Sequence, residues 1–183
     1  MTDTRAVTLN ALALYGLALL LAAAFAAQLL LHELPCPLCL LQRILFALLA
    51  IGPILNIRFG PRPSHYALSL LTAVLGASVS TRQVLLHILP GDAGYGSAPL
   101  GYHYYTWALI AFIAAIILLA AMLLFDRQFD HRTAQVTAPG RLAQGAVWFV
   151  VGLTALNVLS TLLECGFGAC ADNPIVYELL KRS

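Results

Sequence analysis

From Ala6 to Leu31 the chain carries no charged residue. At about 1.5 Å per residue, a helix of that length crosses the roughly 30 Å hydrocarbon core of a bilayer. Four further apolar stretches follow, and their spacing predicts membrane spans at about 8–31, 36–57, 66–89, 104–125 and 142–163. Arg43 alone interrupts the second, while Arg82 and His87 fall near the far end of the third. Short segments rich in Pro, Gly and charge, such as "RFGPRPSH" and "PGDAGYGSAPLG", separate the spans where helices should break. The expected fold is all-α: a polytopic transmembrane helical bundle in a single membrane domain over 1–183, with 164–183 as a tail. Composition points the same way. Of the 183 residues 61% are hydrophobic and 10% charged, against about 25% charged in soluble domains. A net charge of +2, spread along the chain, offers no footprint for nucleic acid.

Basic residues near span ends set the orientation. Arg5, Arg58, Arg62, Arg127, Arg132 and Arg141 gather on one face, which is expected to be cytoplasmic and to hold the amino terminus. The opposite face takes Glu33, Asp92, Glu164, Asp172 and Glu178, with Arg43 and Arg82 at the membrane edge and Lys181 and Arg182 in the tail. The first apolar run has features of a signal peptide, with Arg5 ahead of it and an Ala-Phe-Ala site. It exceeds the roughly 7–15 residues of a signal core, so it is expected to stay as an anchor. Cleavage would not change the side on which any cysteine lies.

Cys36 and Cys39 follow the first span, and Cys165 and Cys170 follow the fifth. An odd number of crossings precedes each pair, so both lie on the face opposite the cytoplasm. Outside a bacterial inner membrane that face is oxidising, and thiols there form and keep disulfides. A bridge across two intervening residues closes almost no loop and stabilises little, so the Cys36/Cys39 spacing suits a bond that opens and closes. Cys165 and Cys170, in "ECGFGACADNP", also suit a structural clip. All four sulfurs could instead meet around zinc, which an oxidising compartment opposes.

The stretch "LPCPLCLLQR" concentrates the chemistry. Pro35 and Pro37 suit a helix entrance, where a missing amide proton costs nothing, and they put Cys36 and Cys39 in its first turn. Unpaired amides at that end favour thiolate over thiol. Arg43, four residues after Cys39 and seven after Cys36, shares their helical face about 6 Å further along the axis. Its guanidinium can snorkel to headgroups; beside a dithiol it can also stabilise a thiolate or an anionic acceptor. Leu40 after Cys39 excludes a haem-attachment motif, and no dinucleotide glycine fingerprint is present. A lipid-soluble quinone is the acceptor that remains at this depth. Tyr95, Tyr102, Tyr104, Tyr105 and Trp107 are expected to form an interfacial aromatic belt; the other reading is that they cover a quinone entrance or dock a partner.

"CPLCLLQR" resembles the Cys-x-x-Cys-x-x-x-Arg motif of the disulfide bond formation protein B (DsbB) family, the quinone-linked thiol oxidases of the bacterial inner membrane. The resemblance covers roughly residues 8–125, and "STRQVLLHILP" matches the family's arginine-containing stretch more loosely. It implies a four-helix core, a DsbA-like thioredoxin-fold partner in the periplasm, and ubiquinone or menaquinone as acceptor. Cys36 and Cys39 correspond to the quinone-proximal pair, with Cys39 the sulfur facing quinone and Arg43 beside it. Arg82 and His87 are further candidates for the same pocket, although His87 also suits a plain interfacial position. The family normally keeps its second cysteine pair between spans three and four. Here that loop has no cysteine, and a fifth span delivers Cys165 and Cys170 instead. The expectation is that this tail pair replaces the missing one; direct reaction of the partner with Cys36 is the alternative. Three rival readings are a membrane scaffold with structural disulfides, a four-cysteine metal site, and a quinone-linked enzyme like vitamin K epoxide reductase. In the last of these the Cys-x-x-Cys comes near the end of the bundle, unlike here.

Overall fold

The computed structural model describes residues 3–129 and 140–181. Its regular elements are helices: α1 (Asp3–Leu30), α2 (Pro37–Leu49), α3 (Ile51–Phe59), α4 (Pro63–Leu86), α5 (Tyr104–Leu123) and α6 (Arg141–Cys165), with short 3₁₀ turns between or after them. Among the described residues, five helical segments are long and apolar enough to cross a membrane, α2 and α3 counting together as Pro37–Phe59. The chain is therefore a polytopic, all-α membrane protein. Arg132 and Arg182, used above for orientation, lie outside the described residues.

The second span is broken, which the apolar pattern did not announce. Pro53 lacks the amide that would bond to the carbonyl of Leu49, four residues back. That carbonyl instead accepts a hydrogen bond from Ser69 Oγ of α4 at 2.9 Å, and the helix restarts at Ile51. A polar side chain from a neighbouring helix thus completes a backbone group that lipid could not satisfy.

α1 packs along α6, and α4 packs along both α5 and α2. Small residues allow the close approach of helices that lipid-embedded packing needs. Ala11, Ala18, Ala143 and Ala146 are buried in the core together with Leu14, Leu21 and Val150. On the other side Phe46 of α2 stacks on Phe112 of α5, with ring centroids 4.1 Å apart and planes within 5°. Gly76 of α4 lies directly beneath the Phe112 ring, where an added Cβ would collide with it. Phe112 is fully buried and held by Phe46 from the far side, so it has nowhere to retreat. Gly76→Ala should cost about 1–3 kcal/mol of stability through overpacking, measurable as a lowered thermal midpoint in detergent micelles.

At the end of the bundle remote from the cysteines, a buried polar knot joins α1, α3, α4 and the turn after α5. Asn10 Nδ2 donates to Tyr66 Oη at 3.0 Å, Asn56 Nδ2 donates to Asn10 Oδ1 at 3.0 Å, and Tyr66 donates to Gln128 Oε1 at 3.0 Å. Each buried donor has an acceptor, so the knot fixes the register of these helices without an unsatisfied polar group.

Candidate functional site

α2 begins at Pro37, and Cys36 is its N-cap in an extended conformation. Cys36 Sγ accepts the backbone N–H of Cys39 at 3.2 Å, in place of the hydroxyl or carboxylate that usually caps a helix. Cys36 and Cys39 are disulfide-bonded across this first turn. Cys36 is only 7% exposed, whereas Cys39 is half-buried and faces a cavity.

Gln83, on α4 and 1% exposed, completes the surroundings of the sulfurs. Its Nε2 donates to Cys36 Sγ at 3.2 Å and to Cys39 Sγ at 3.4 Å. Gln42 Nε2 donates to Gln83 Oε1 at 2.9 Å, so the carbonyl end of Gln83 is engaged and its NH₂ faces the disulfide. Two amides in series therefore hold a donor against the position where a thiolate would form.

Arg43 turns inward rather than up to the headgroups. Its Nη1 donates to Gln28 Oε1 at 2.7 Å and to Asn157 Oδ1 at 3.4 Å, and its Nη2 donates to the Ala24 carbonyl at 2.8 Å. Gln28 Nε2 in turn donates to Ser160 Oγ at 2.7 Å and to Tyr177 Oη at 3.0 Å. The guanidinium thus reaches from α2 to both α1 and α6, in a polar cluster beneath the sulfur-bearing end.

The cavity beside Cys39 has a volume of about 380 Å³ and is lined by Gln42, Arg43 and Phe46 on its inner side. Tyr95, Tyr104, Tyr105 and Trp107 line it from the α4–α5 connection and α5. Four of the five aromatics read as an interfacial belt therefore wall a pocket. Tyr95 Oη donates to the Leu34 carbonyl at 2.7 Å, and Glu33 accepts from both the amide and the hydroxyl of Ser97. These bonds fasten the connection over the "LPCPLC" turn. Burial pushes the Tyr95 phenol above its ordinary range, with the negative charges of Glu164 and Glu33 adding to the effect. The lining is mainly apolar, with the Cys39 sulfur, the Arg43 guanidinium and the Gln42 amide as its polar groups on the α2 side, the mix of apolar walls and a few placed polar groups that small-molecule pockets have.

The other candidates lie elsewhere. Arg82 is exposed on the far face of α4, in an outward groove with Leu85 and Ile116. One residue along a helix is a turn of about 100°, so with Gln83 against the sulfurs Arg82 must point away. His87 stacks on Tyr105 at 5.5 Å and bonds to Asp92 at 3.0 Å, one ring removed from the cavity. The Gly94 amide, and then His87, hold the Asp92 carboxyl below its ordinary range.

Cys165 closes α6 and is disulfide-bonded to Cys170. The four sulfurs therefore form two separate disulfides rather than one four-sulfur cluster. Gly166, at φ 64°, makes the turn that ends the helix, a conformation glycine adopts without strain. This second disulfide is half-buried, and its rim carries Phe167 at 92% and Ile175 at 84% exposure. A second cavity of about 830 Å³ between α2/α3 and α6 is lined by Arg43, Asn157, Cys165 and Cys170. Arg43 thus borders one cavity that reaches Cys39 and another that reaches the tail disulfide.

Gln28, Gln42, Gln83, Asn157 and Glu164 escaped the sequence reading as site residues. Asn157, Ser160 and Glu164, at i, i+3 and i+7 on one face of an apolar span, were the available signal.

The family model described as "Disulfide bond formation protein DsbB" matches residues 5–96. Disulfide bond formation protein B of Xanthomonas axonopodis pv. citri (strain 306) is 41% identical over 78 residues, which is 40% of this chain and 45% of that protein. Disulfide bond formation protein B 2 of Burkholderia lata is 41% identical over 73 residues, 39% of this chain and 44% of that protein. For the Azoarcus sp. (strain BH72) protein B the identity is 37% over 62 residues, 32% and 37% of the two chains. The matched stretch is thus less than half the length of these relatives. No solved structure matches the chain. α5, α6 and the tail disulfide lie beyond the residues that match the family model.

Proposed function

This chain belongs to the disulfide bond formation protein DsbB family, and from that membership we propose that it is a quinone-dependent thiol oxidase of the bacterial inner membrane. It oxidises a DsbA-like periplasmic dithiol and passes the electrons through Cys36 and Cys39 to ubiquinone or menaquinone. In this reading the amino terminus is cytoplasmic and both cysteine pairs face the periplasm. The observation that carries it is the shared cavity of Cys39 and Arg43 under a roof of aromatic rings.

The division of labour follows from exposure. The tail disulfide lies on the turn after α6, half-buried within an apolar rim of Phe167 and Ile175, so it meets the soluble partner. A partner thiolate attacks one tail sulfur, the mixed disulfide is resolved by the partner's second thiol, and the tail is left as a dithiol. The tail dithiol then reduces Cys36–Cys39 by the same exchange. The Cys39 sulfur sits in the first turn of α2 against the Gln83 amide and shares its cavity with Arg43, groups that support negative charge on sulfur during the exchange. A quinone in the cavity supplies the acceptor for two electrons and two protons. Arg43 and Gln42 orient it and the aromatic walls exclude water.

Purified protein, reduced DsbA-like protein and a short-chain ubiquinone should together give quinol, followed by its ultraviolet absorbance. No quinol from the wild type would sink the proposal. Gln83→Leu keeps the volume but removes the donor to a thiolate, an interaction of about 1.5–3 kcal/mol. The expected slowing is roughly 10- to 100-fold, with unchanged tail-disulfide exchange. Arg43→Gln should raise the apparent KM for quinone by at least tenfold, since a charge–dipole contact is replaced by a neutral one.

A further inference from the structure

Glu164 is 2% exposed, and neither carboxyl oxygen has a hydrogen-bond partner among the described residues. It occupies the last turn of α6, where the helix dipole presents its negative end and offers a carboxylate no support. Burying an unpartnered carboxyl is costly, and nothing in the packing requires an acid here, since a leucine or methionine would fill the same space. Ionisable side chains persist in such places when they take part in function.

Its neighbours indicate the task. The charge of the Arg43 guanidinium from α2 acts on Glu164, and the charge of Glu164 acts on the Tyr95 hydroxyl of the α4–α5 connection. Arg43 and Tyr95 both line the cavity that reaches Cys39. Tyr177 of the tail faces the same cluster through Gln28 and Arg43, and α1 contributes the neutral Gln28. Ser160, one turn before Glu164 on α6, is hydrogen-bonded to that Gln28. The acid is thus buried within reach of the charge of Arg43 and of the Tyr95 hydroxyl, two residues that line the cavity, without lining it itself.

We propose that Glu164 is the proton reservoir of the Cys39 cavity, giving a proton to the acceptor side and recovering one from the thiols. The inference rests on the quinone-oxidase reading above. The Cys36 and Cys39 thiols lose two electrons and two protons as their S–S bond forms, and the quinone gains both pairs to become quinol. Glu164 hands over one proton at its carboxyl oxygen and is reprotonated by one released from sulfur, so it is unchanged over the cycle. Arg43 balances the transient carboxylate.

The test compares wild type, Glu164→Gln and Glu164→Asp in single-turnover quinol formation, using the dithiol form of the protein and a short-chain ubiquinone. Glu164→Gln should slow the step about 100-fold, the usual scale of a lost general acid–base group. It should also change the pH profile and shrink the D₂O effect, leaving only the part that belongs to the thiols, and Glu164→Asp should restore part of each. An infrared difference spectrum of the wild type on quinone reduction should contain a carboxyl C=O band that Glu164→Gln removes. If wild type forms quinol while Glu164→Gln matches it in rate and pH profile, the inference is wrong and the oxidase reading stands. Equal slowing by both variants with a wild-type pH profile makes Glu164 structural and overturns the inference. The absence of any carboxyl band in the wild type overturns it without reference to a variant. If the wild type forms no quinol at all, it is the oxidase reading that fails.

Discussion

Cys39→Ser is expected to reduce quinone-dependent turnover at least about 1,000-fold, because it removes the sulfur that faces the cavity. Cys36 still caps α2 through its Sγ, and serine is smaller than cysteine, so the fold should persist. The variant should also leave a trace. Cys36, with no partner to displace it, can attack the tail disulfide and remain bonded to Cys165 or Cys170. A Cys36–tail mixed disulfide should therefore accumulate and be visible by mass spectrometry after alkylation. Turnover at the wild-type rate would remove Cys39 from the reaction; absence of the mixed disulfide would separate the two pairs.

The second large effect is expected from replacing Cys165 and Cys170 together by serine. Turnover with a reduced DsbA-like protein should fall at least about 100-fold, because exchange requires access to the attacked sulfur and Cys36 is only 7% exposed. Quinone binding, measured by quenching of Trp107 fluorescence, should be preserved. The short loop closed by this disulfide contributes about 2 kcal/mol through unfolded-state entropy. A modest fall in thermal midpoint with intact turnover would identify the tail pair as a clip and send the partner to Cys36 directly.

The sequence made some of this legible and not the rest. Apolar length announced five helices, with Arg43 and Arg82 inside two of them, because a helix that satisfies its own backbone is a local property. The Cys36–Cys39–Arg43 face was readable from a 3.6-residue period. The break at Pro53 was not, because the missing amide is compensated by Ser69, a residue remote in sequence. Arg82 drew attention as a charge in an apolar span, yet the neutral Gln83 beside it meets the sulfurs. Which of two adjacent residues faces inward depends on how α4 is rotated against α2, and α4 is nearly as apolar on one side as on the other. The aromatics before and at the start of α5 gave a composition consistent with a belt. Their role as cavity walls depends on bonds from Glu33 and Leu34 across more than sixty residues.

α2 is riveted to α4 at two levels, through Ser69 at the break and through Gln83 at the top, while α6 lies against α1. The two sulfur pairs therefore ride on different slabs of the bundle, and Arg43 is a clasp across the seam. It grips Gln28 and Ala24 of α1 and Asn157 of α6 at once. The separation of the two disulfides is therefore set at both ends of the bundle, by the guanidinium near the sulfurs and by the asparagine knot at the other.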